Sequence, residues 1–349
     1  MFQNSLLRWY GKHRRALPWR DNPTPYRVWI SEIMLQQTQV KTVIPYFSRF
    51  LEQFPDLKSL ADASERDVLA LWSGLGYYSR ARNLHRTARL IVERHGEFPE
   101  DFKDILALPG IGRYTAGAIS SIAFSQAQPV VDGNIQRVVT RLKAIRKRPA
   151  AGHFWDQMSA WLPAGKSSAF NQAMMELGAI VCLPSQPLCP RCPVERHCEA
   201  RRLGIQNEIP AVRLKRQIKR VSIAVLVLER NGKILLTSAL RLPFIPGTWG
   251  LPCRQIRKSE SSEDAAAGLC SEILGRTIPL RPASKTSHSI SNRRIAAFGF
   301  LGTLDRAIQP PQGTDNFCWM SRHQESELLT SSLFRKILQK FRDMSTEKK

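Results

Sequence analysis

The chain has 349 residues, 43% of them hydrophobic, and 52 Lys and Arg against 29 Asp and Glu give it a formal net charge of +23. That length holds two domains with cores of their own, and the composition is that of an ordinary soluble globular protein. No apolar run reaches the ~18–20 residues of a membrane span, the opening MFQNSLLRWYGKHRRALPWR lacks a signal peptide's apolar core, and the cationic excess, with no amphipathic anchor, points to a polyanion partner inside the cytoplasm rather than to a membrane.

Residues 1–205 read as helix after helix. Apolar residues recur at helical spacing in Val28-Ile30-Ile33-Met34, in Val68-Leu69-Leu71-Trp72 and in Leu84-Ala88-Ile91. Pro55, Pro99, Pro109, Pro129 and Pro163 punctuate them, and no strand pattern is visible. Residues 206–220 are polar and basic and read as a linker. Residues 221–228 and 233–237 read as strands joined through Asn231-Gly232. Residues 263–274 form a helix stopped by Gly275. Residues 294–304 are strand-like, 325–341 form a closing helix, and the tail 343–349 frays. The second domain, residues 221–345, is therefore α+β. Two basic clusters stand out: Arg141, Lys143, Arg146, Lys147 and Arg148, and Arg213, Lys215, Arg216, Lys219 and Arg220. Each reads equally as a solvated face or as a nucleic-acid contact.

Seven cysteines without a secretion signal argue against a disulfide framework. Cys182, Cys189, Cys192 and Cys198 form C-x6-C-x2-C-x5-C, in a loop stiffened by Pro184, Pro187, Pro190 and Pro193. Four thiols so close read as an iron–sulfur or a zinc site. Zinc sites come as paired C-x2-C units, and only the central pair here has that spacing. Cys253, Cys270 and Cys318 read as small hydrophobes.

The cysteine spacing resembles the [4Fe–4S] loop of the endonuclease III superfamily of DNA glycosylases. The resemblance implies a mainly structural cluster shaping a basic DNA-contacting loop, where Arg191, Arg196, Arg201 and Arg202 stand. Leu108-Pro109-Gly110-Ile111-Gly112, alone a tight helix–helix turn, then resembles the superfamily's helix-hairpin-helix. Gly110 and Gly112 let the backbone approach a phosphate at the start of the next helix. Val130-Val131-Asp132-Gly133-Asn134 places Asp132 where the superfamily carries its essential aspartate. Its anion would stabilise charge developing on the sugar, and from local sequence it equally caps a helix. Where bifunctional relatives carry a lysine nucleophile, this chain has Tyr114, which implies a monofunctional enzyme using water.

The stretch Trp29-Ile30-Ser31-Glu32-Ile33-Met34-Leu35-Gln36-Gln37-Thr38 resembles the MutY-type adenine DNA glycosylases. By itself Glu32 reads as a solvated helix residue. The resemblance implies instead a buried, protonated acid that gives a proton to adenine N7, forming with Asp132 a catalytic pair flanked by Tyr114 and Asn134. Gln36 lies one turn from Glu32, Gln37 stands at the position that enters the base stack, and Arg20 of Leu17-Pro18-Trp19-Arg20 neighbours the glutamate. In Gly74-Leu75-Gly76-Tyr77-Tyr78-Ser79-Arg80 the first tyrosine, Tyr77, is the wedge beside the lesion, as base extraction requires. Packing in the core and on the surface is the plainer reading of that tyrosine pair.

The C-terminal domain resembles the Nudix-like module with which MutY-type enzymes read 8-oxoguanine. Only Glu272 remains of the acidic set that holds magnesium in active hydrolases, which implies no nucleotide hydrolysis, while Pro246-Gly247-Thr248-Trp249-Gly250-Leu251-Pro252 keeps the preceding turn. The family's damage-reading loop, Phe-Ser-His, is here Thr286-Ser287-His288, so Ser287 and His288 match and an aromatic wedge is missing.

The expected protein is multidomain: an all-α helix-hairpin-helix glycosylase with an iron–sulfur loop, then an α+β Nudix-like domain. The first part would comprise a barrel, 24–130, and a cluster domain, 1–23 plus 131–205. It would act as a monomer with a [4Fe–4S] cluster, on duplex DNA bearing adenine opposite 8-oxoguanine or guanine; a sliding-clamp or mismatch-repair contact stays open. The alternatives are the same scaffold acting on an oxidised pyrimidine or mismatched thymine, and a non-catalytic DNA-binding or redox-sensing cluster protein. Tyr114 opposes the lyase chemistry, and the carboxyl pair opposes mere binding.

Overall fold

The apolar stripes of the first two hundred positions become helices, with no strand among the described residues. The computed structural model describes residues 2–147, 149–211, 218–239, 242, 249–290, 292–305, 316–329 and 331–346. The chain divides into two units, residues 1–214 and 215–349. The first contains α1 (Phe2–His13), α2 (Pro18–Asp21), α3 (Pro25–Leu35), α4 (Val40–Gln53), α5 (Leu57–Asp62), α6 (Glu65–Leu71), α7 (Ser79–His95), α8 (Phe102–Ala107), α9 (Arg113–Ile122), α10 (Gly133–Leu142), α11 (Ala151–Trp161), α12 (Ser167–Ile180) and α13 (Glu199–Arg202). Starts follow capping chemistry: the Thr24, Asp56, Ser64, Asp101 and Asp132 side chains each accept a backbone N–H of the helix they precede. Among the described residues no helix is long and apolar enough to cross a membrane.

Two apolar cores form. One packs Trp29, Phe47, Phe50, Trp72 and Ile91 with Leu17 and Trp19. The other joins Leu6 and Tyr10 of α1 to Val130, Val131, Ile135 and Val138 around α10, and to Phe170, Met174 and Leu177 of α12. Helix α9 lies between them: Ala116 and Ile119 belong to the first core and Ala118 to the second. Its small residues let other helices approach on every side. Leu17 and Trp19, assigned from sequence with α1, pack with the first core, because Pro18 opens a new helix and the Trp19 ring meets Phe47 edge-on at 5.4 Å.

The second unit holds β1 (Lys219–Arg230), β2 (Lys233–Thr237), β3 (Cys253–Gln255), α14 (Ser262–Leu274), β4 (Arg281–Ile290), β5 (Arg293–Thr303), β6 (Phe317–Met320), α15 (Glu325–Leu328) and α16 (Ser332–Thr346). The sheet runs β4-β5-β1-β2-β6, with β3 also paired to β1. Strands β1 and β5 are parallel, and the remaining pairs are antiparallel. Strand β1 is buried on both faces: Ile223, Val225 and Val227 pack with Leu333, Phe334 and Ile337 of α16, and Ala224, Leu226 and Leu228 with Ala265, Leu269 and Ile273 of α14. A continuous apolar run is what two covered faces require.

Several expectations shift. Strand β1 starts at Lys219, inside the expected linker; residues 212–217 of that linker, with Arg213, Lys215 and Arg216, lie outside the described residues, as do Arg148 and Pro246-Gly247-Thr248. The closing helix is broken at Leu329, because Ser331 and Ser332 favour a cap over helix interior and Arg335 donates back to the Leu329 carbonyl at 2.6 Å. Residues 343–346 are helical rather than frayed, and 347–349 lie outside the described residues. Strands β3 and β6 are too short to show a period, and β4 is a polar edge strand whose buried positions are small residues.

Close approach of α10 and α12 depends on Gly178, where a Cβ would stand 2.6 Å from the Asn134 Cβ and 3.2 Å from its backbone. Gly178→Ala is expected to destabilise the protein by about 1–3 kcal/mol, the cost of overpacking a fitted contact, read as a lower midpoint of thermal unfolding.

Candidate active site

Helices α3, α9, α10 and α12, with the segments around α2 and after α3, enclose a cavity of about 400 Å³. Arg20, Glu32, Gln36, Gln37, Tyr114, Asp132 and Asn134 all line it, as do Arg15, Gln172, Met175 and Glu176, which sequence reasoning did not single out.

Glu32 is 7% exposed, so the solvated-residue reading does not hold. Its α3 neighbours Ile30, Ile33 and Met34 are buried too. Burial raises its carboxyl to about 7; the Tyr114 hydroxyl and Arg20 pull it down, and the Asp132 charge pushes it up. Tyr114 donates to Met175 Sδ at 3.2 Å, and its hydroxyl oxygen lies against the Glu32 carboxyl. Asp132 does cap α10: its Oδ1 accepts the Ile135 N–H at 2.7 Å, and its Oδ2 accepts Asn134 Nδ2 at 3.0 Å. Burial raises Asp132 as well, opposed by those N–H donors and by Arg137. Among the described residues Glu32 has the Tyr114 hydroxyl against it but no backbone or amide N–H donor, so of the two Glu32 is the readier to hold a proton. The cavity thus offers two buried carboxyls with unequal sets of donors.

Arg137 extends the arrangement. It donates to Asn134 Oδ1 at 2.9 Å, to the Gly178 carbonyl at 2.8 Å and to the Cys182 carbonyl at 2.8 Å, which ties Asp132's partner to the cysteine loop. On the opposite wall Glu176 accepts Arg15 through its side chain and backbone N–H, and Arg20 at 2.9 Å. Arg20 is therefore bonded to Glu176, with Glu32 only within its field. Burial alone would raise Glu176, but the two guanidiniums hold it at about 2. The signal for Glu176 was in the sequence: a lone acid in the apolar stretch Ala173-Met174-Met175-Glu176-Leu177 needs a cation when that helix is buried.

Of two turns with left-handed residues, only the one carrying Gln37 lines the cavity. Gln37 follows α3 with φ +58°, and Tyr77 precedes α7 with φ +50°. Both side chains are exposed, Tyr77 by 46%. The hairpin between α8 and α9 has Gly110 at φ +78°, where a Cβ would stand 2.9 Å from Asn83. Gly112 differs from expectation: its φ of −92° suits any residue, and open space surrounds it as the N-cap of α9. No side chain caps α9, leaving its first N–H groups to an outside acceptor.

Cys182, Cys189, Cys192 and Cys198 line one small pocket beside Arg141 and Arg201. Among the described residues no three His, Cys, Asp or Glu side chains are gathered tightly enough to hold a single metal ion. Arg141 is 2% exposed and spent internally, donating to Cys182 Sγ at 3.3 Å and to the Leu183, Pro184 and Ile209 carbonyls. It is thus no part of a surface cluster, whereas Lys143, Arg146 and Lys147 are exposed. Of the loop arginines, Arg201 and Arg202 pair with Glu195 and Glu199, while Arg191 and Arg196 face solvent.

In the second unit Ser287 and His288 line a separate basic cavity with Arg293, Arg294 and Lys336. The loop expected there is strand β4. Thr286 stands opposite Ala297, on the face covered by α16, and is 5% exposed. Strand alternation turns position 286 inward, so a phenylalanine there would meet the core and not a base.

Residues 30–164 match the HhH-GPD superfamily of base excision DNA repair proteins. The chain is 40% identical over 239 residues to the adenine DNA glycosylase of Buchnera aphidicola subsp. Acyrthosiphon pisum (strain APS), covering 66% of this chain and 68% of that one. It is 46% identical over 225 residues to the adenine DNA glycosylase of Rattus norvegicus, covering 60% of this chain but only 44% of the rat protein. Among solved structures, a thermostable thymine-DNA glycosylase matches with a TM-score of 0.55 at 28% identity, over 58% of this chain and 95% of that one.

Raising a buried carboxyl makes the folded state hold its proton more tightly than the unfolded state does. The stability this contributes is full below the unfolded value of 4.5 and is lost as pH rises to about 7. Glu32→Gln, neutral throughout, is expected to exceed wild-type stability by up to about 3 kcal/mol at pH 8, with the difference closing towards pH 4.5 in denaturant titrations.

Proposed function

Because the chain belongs to the adenine DNA glycosylase family of HhH-GPD base excision repair proteins, we propose that it hydrolyses the N-glycosidic bond of adenine opposite 8-oxoguanine or guanine in duplex DNA. The observation that carries this reading is the pair in one cavity: Glu32, whose carboxyl burial raises to about 7, beside Asp132, which accepts from two N–H donors. Protonated Glu32 gives its proton to adenine N7, and electrons of the C1′–N9 bond leave with the base. Asp132 stabilises the positive charge on the sugar. Water adds at C1′, and the proton it releases restores the carboxyl pair. Tyr114 and Asn134 orient the two carboxyls. Among the described residues no lysine lines the cavity, which fits water rather than a lysine amine as the nucleophile.

Duplex DNA is held by the uncapped start of α9 behind Gly110 and Gly112, a ready phosphate site. Gln37 and Tyr77 occupy the space of the extruded base. The four cysteines are the ligands of a [4Fe–4S] cluster. They line one pocket, and Arg141 donates to Cys182 Sγ. The bound cluster supplies loop structure, not chemistry at the sugar. In the second, Nudix-like unit, Ser287 and His288 read 8-oxoguanine.

Single-turnover cleavage of duplexes with adenine opposite 8-oxoguanine, guanine or thymine, and with thymine opposite guanine, tests the reading. Adenine should be released from the first two only. Glu32→Gln and Asp132→Asn should each slow release by about 10²-fold or more. Thymine release instead would favour the mismatched-thymine alternative. The wild-type rate should fall as pH rises through about 7 and Glu32 loses its proton; a rate flat from pH 6 to 9 would remove Glu32 as the acid.

A further inference from the structure

Arg80 is 9% exposed, and no carboxylate pairs with it among the described residues. Its guanidinium is spent on two turns. Nη1 donates to the carbonyls of Ile33, Met34 and Gln36 at 2.8, 3.0 and 2.5 Å. Nη2 donates to Thr38 Oγ1 at 3.2 Å, and to the Leu75 and Gly76 carbonyls at 3.4 and 3.3 Å. The first set belongs to the end of α3 and the turn presenting Gln37, the second set reaches the turn presenting Tyr77, and the Tyr77 ring centroid lies 5.4 Å from Arg80 Cζ.

We infer that Arg80 is a positioning residue for base extraction, clamping the Gln37 turn to the Tyr77 turn so that both side chains meet the duplex as one preformed unit. The inference rests on the glycosylase reading above and deepens it. Gln37 and Tyr77 both occupy the left-handed region, which costs a non-glycine residue about 1–3 kcal/mol unless its surroundings enforce it. Each turn exposes carbonyls that no regular element satisfies, and one planar, multiply donating group satisfies those of both. Lysine, a compact charge with three donors, cannot bridge them. The Tyr77 turn has further supports: Trp72 Nε1 donates to the Gly76 carbonyl at 3.1 Å, and the Tyr46 hydroxyl to the Ser73 carbonyl at 2.8 Å. Loss of Arg80 should therefore loosen the pairing of the turns before it unfolds either.

The test compares wild type, Arg80→Lys, Tyr77→Ala and the double variant. Single-turnover adenine release opposite 8-oxoguanine is measured alongside the fluorescence of 2-aminopurine at the adenine position, which rises when the base leaves the stack. Arg80→Lys should slow release by about tenfold or more and abolish the fluorescence rise, yet change release less than about twofold in the Tyr77→Ala background, because coupled residues are not additive. Equal losses in both backgrounds, or a wild-type rate in Arg80→Lys, overturn the inference. If Arg80→Lys does not fold, Thr38→Val, which removes one of six acceptors, should slow release about threefold and lose that effect in the Tyr77→Ala background; an unchanged rate overturns the inference. Wild-type protein that releases no adenine overturns the glycosylase reading itself, a result distinct from wild-type release that Arg80→Lys leaves intact.

Discussion

Two buried carboxyls in one cavity cannot both ionise cheaply, and the arrangement around the cavity answers that constraint. Glu32 comes from α3, packed in the first apolar core, and Asp132 heads α10, rooted in the second. Bringing the cores together through α9 brings the carboxyls together. The donors are distributed unequally: Asp132 holds the Ile135 and Asn134 N–H groups, while Glu32 faces Tyr114 and apolar neighbours. That asymmetry leaves Glu32 the readier of the two to hold a proton, at a cost in fold stability that an uncharged glutamine would return.

The strong positive charge of the chain has two uses that composition cannot separate. Lys143, Arg146, Lys147, Arg191 and Arg196 face solvent and suit a phosphate backbone. Arg80, Arg137 and Arg141 are instead internal ties, each donating to at least one carbonyl outside a regular helix, those of Gln36, Cys182 and Leu183. The reason is a general one: turns carrying functional side chains leave carbonyls unpaired, and a guanidinium can satisfy several at once at less desolvation cost than an ammonium. Arg15 and Arg20 do the same for the buried carboxylate of Glu176 on the cavity wall.

In the second unit, both faces of β1 are covered, which fixes the inward or outward orientation of every position in the paired strands. Opposite Ala297, Thr286 must face α16, and its neighbours Ser287 and His288 line the basic cavity on the edge strand. The motif Thr-Ser-His therefore reads differently inside a strand than in a loop. Its first residue belongs to packing, and its next two line the cavity.

The sequence by itself determined the helical first part, the β1–β2 hairpin and the cap at Gly275, because helical periodicity and turn residues are local signals. It could not choose between a solvated and a buried Glu32, or between a capping and a charge-stabilising Asp132. Burial is a property of what packs from elsewhere, and here α9, α10 and α12 supply the walls. Likewise the partners of Arg20, Arg80 and Glu176 come from distant parts of the chain, and no spacing rule announces them. The tertiary structure decided burial, partner choice and strand facing, because each depends on the packing and the donors that distant segments bring to a site.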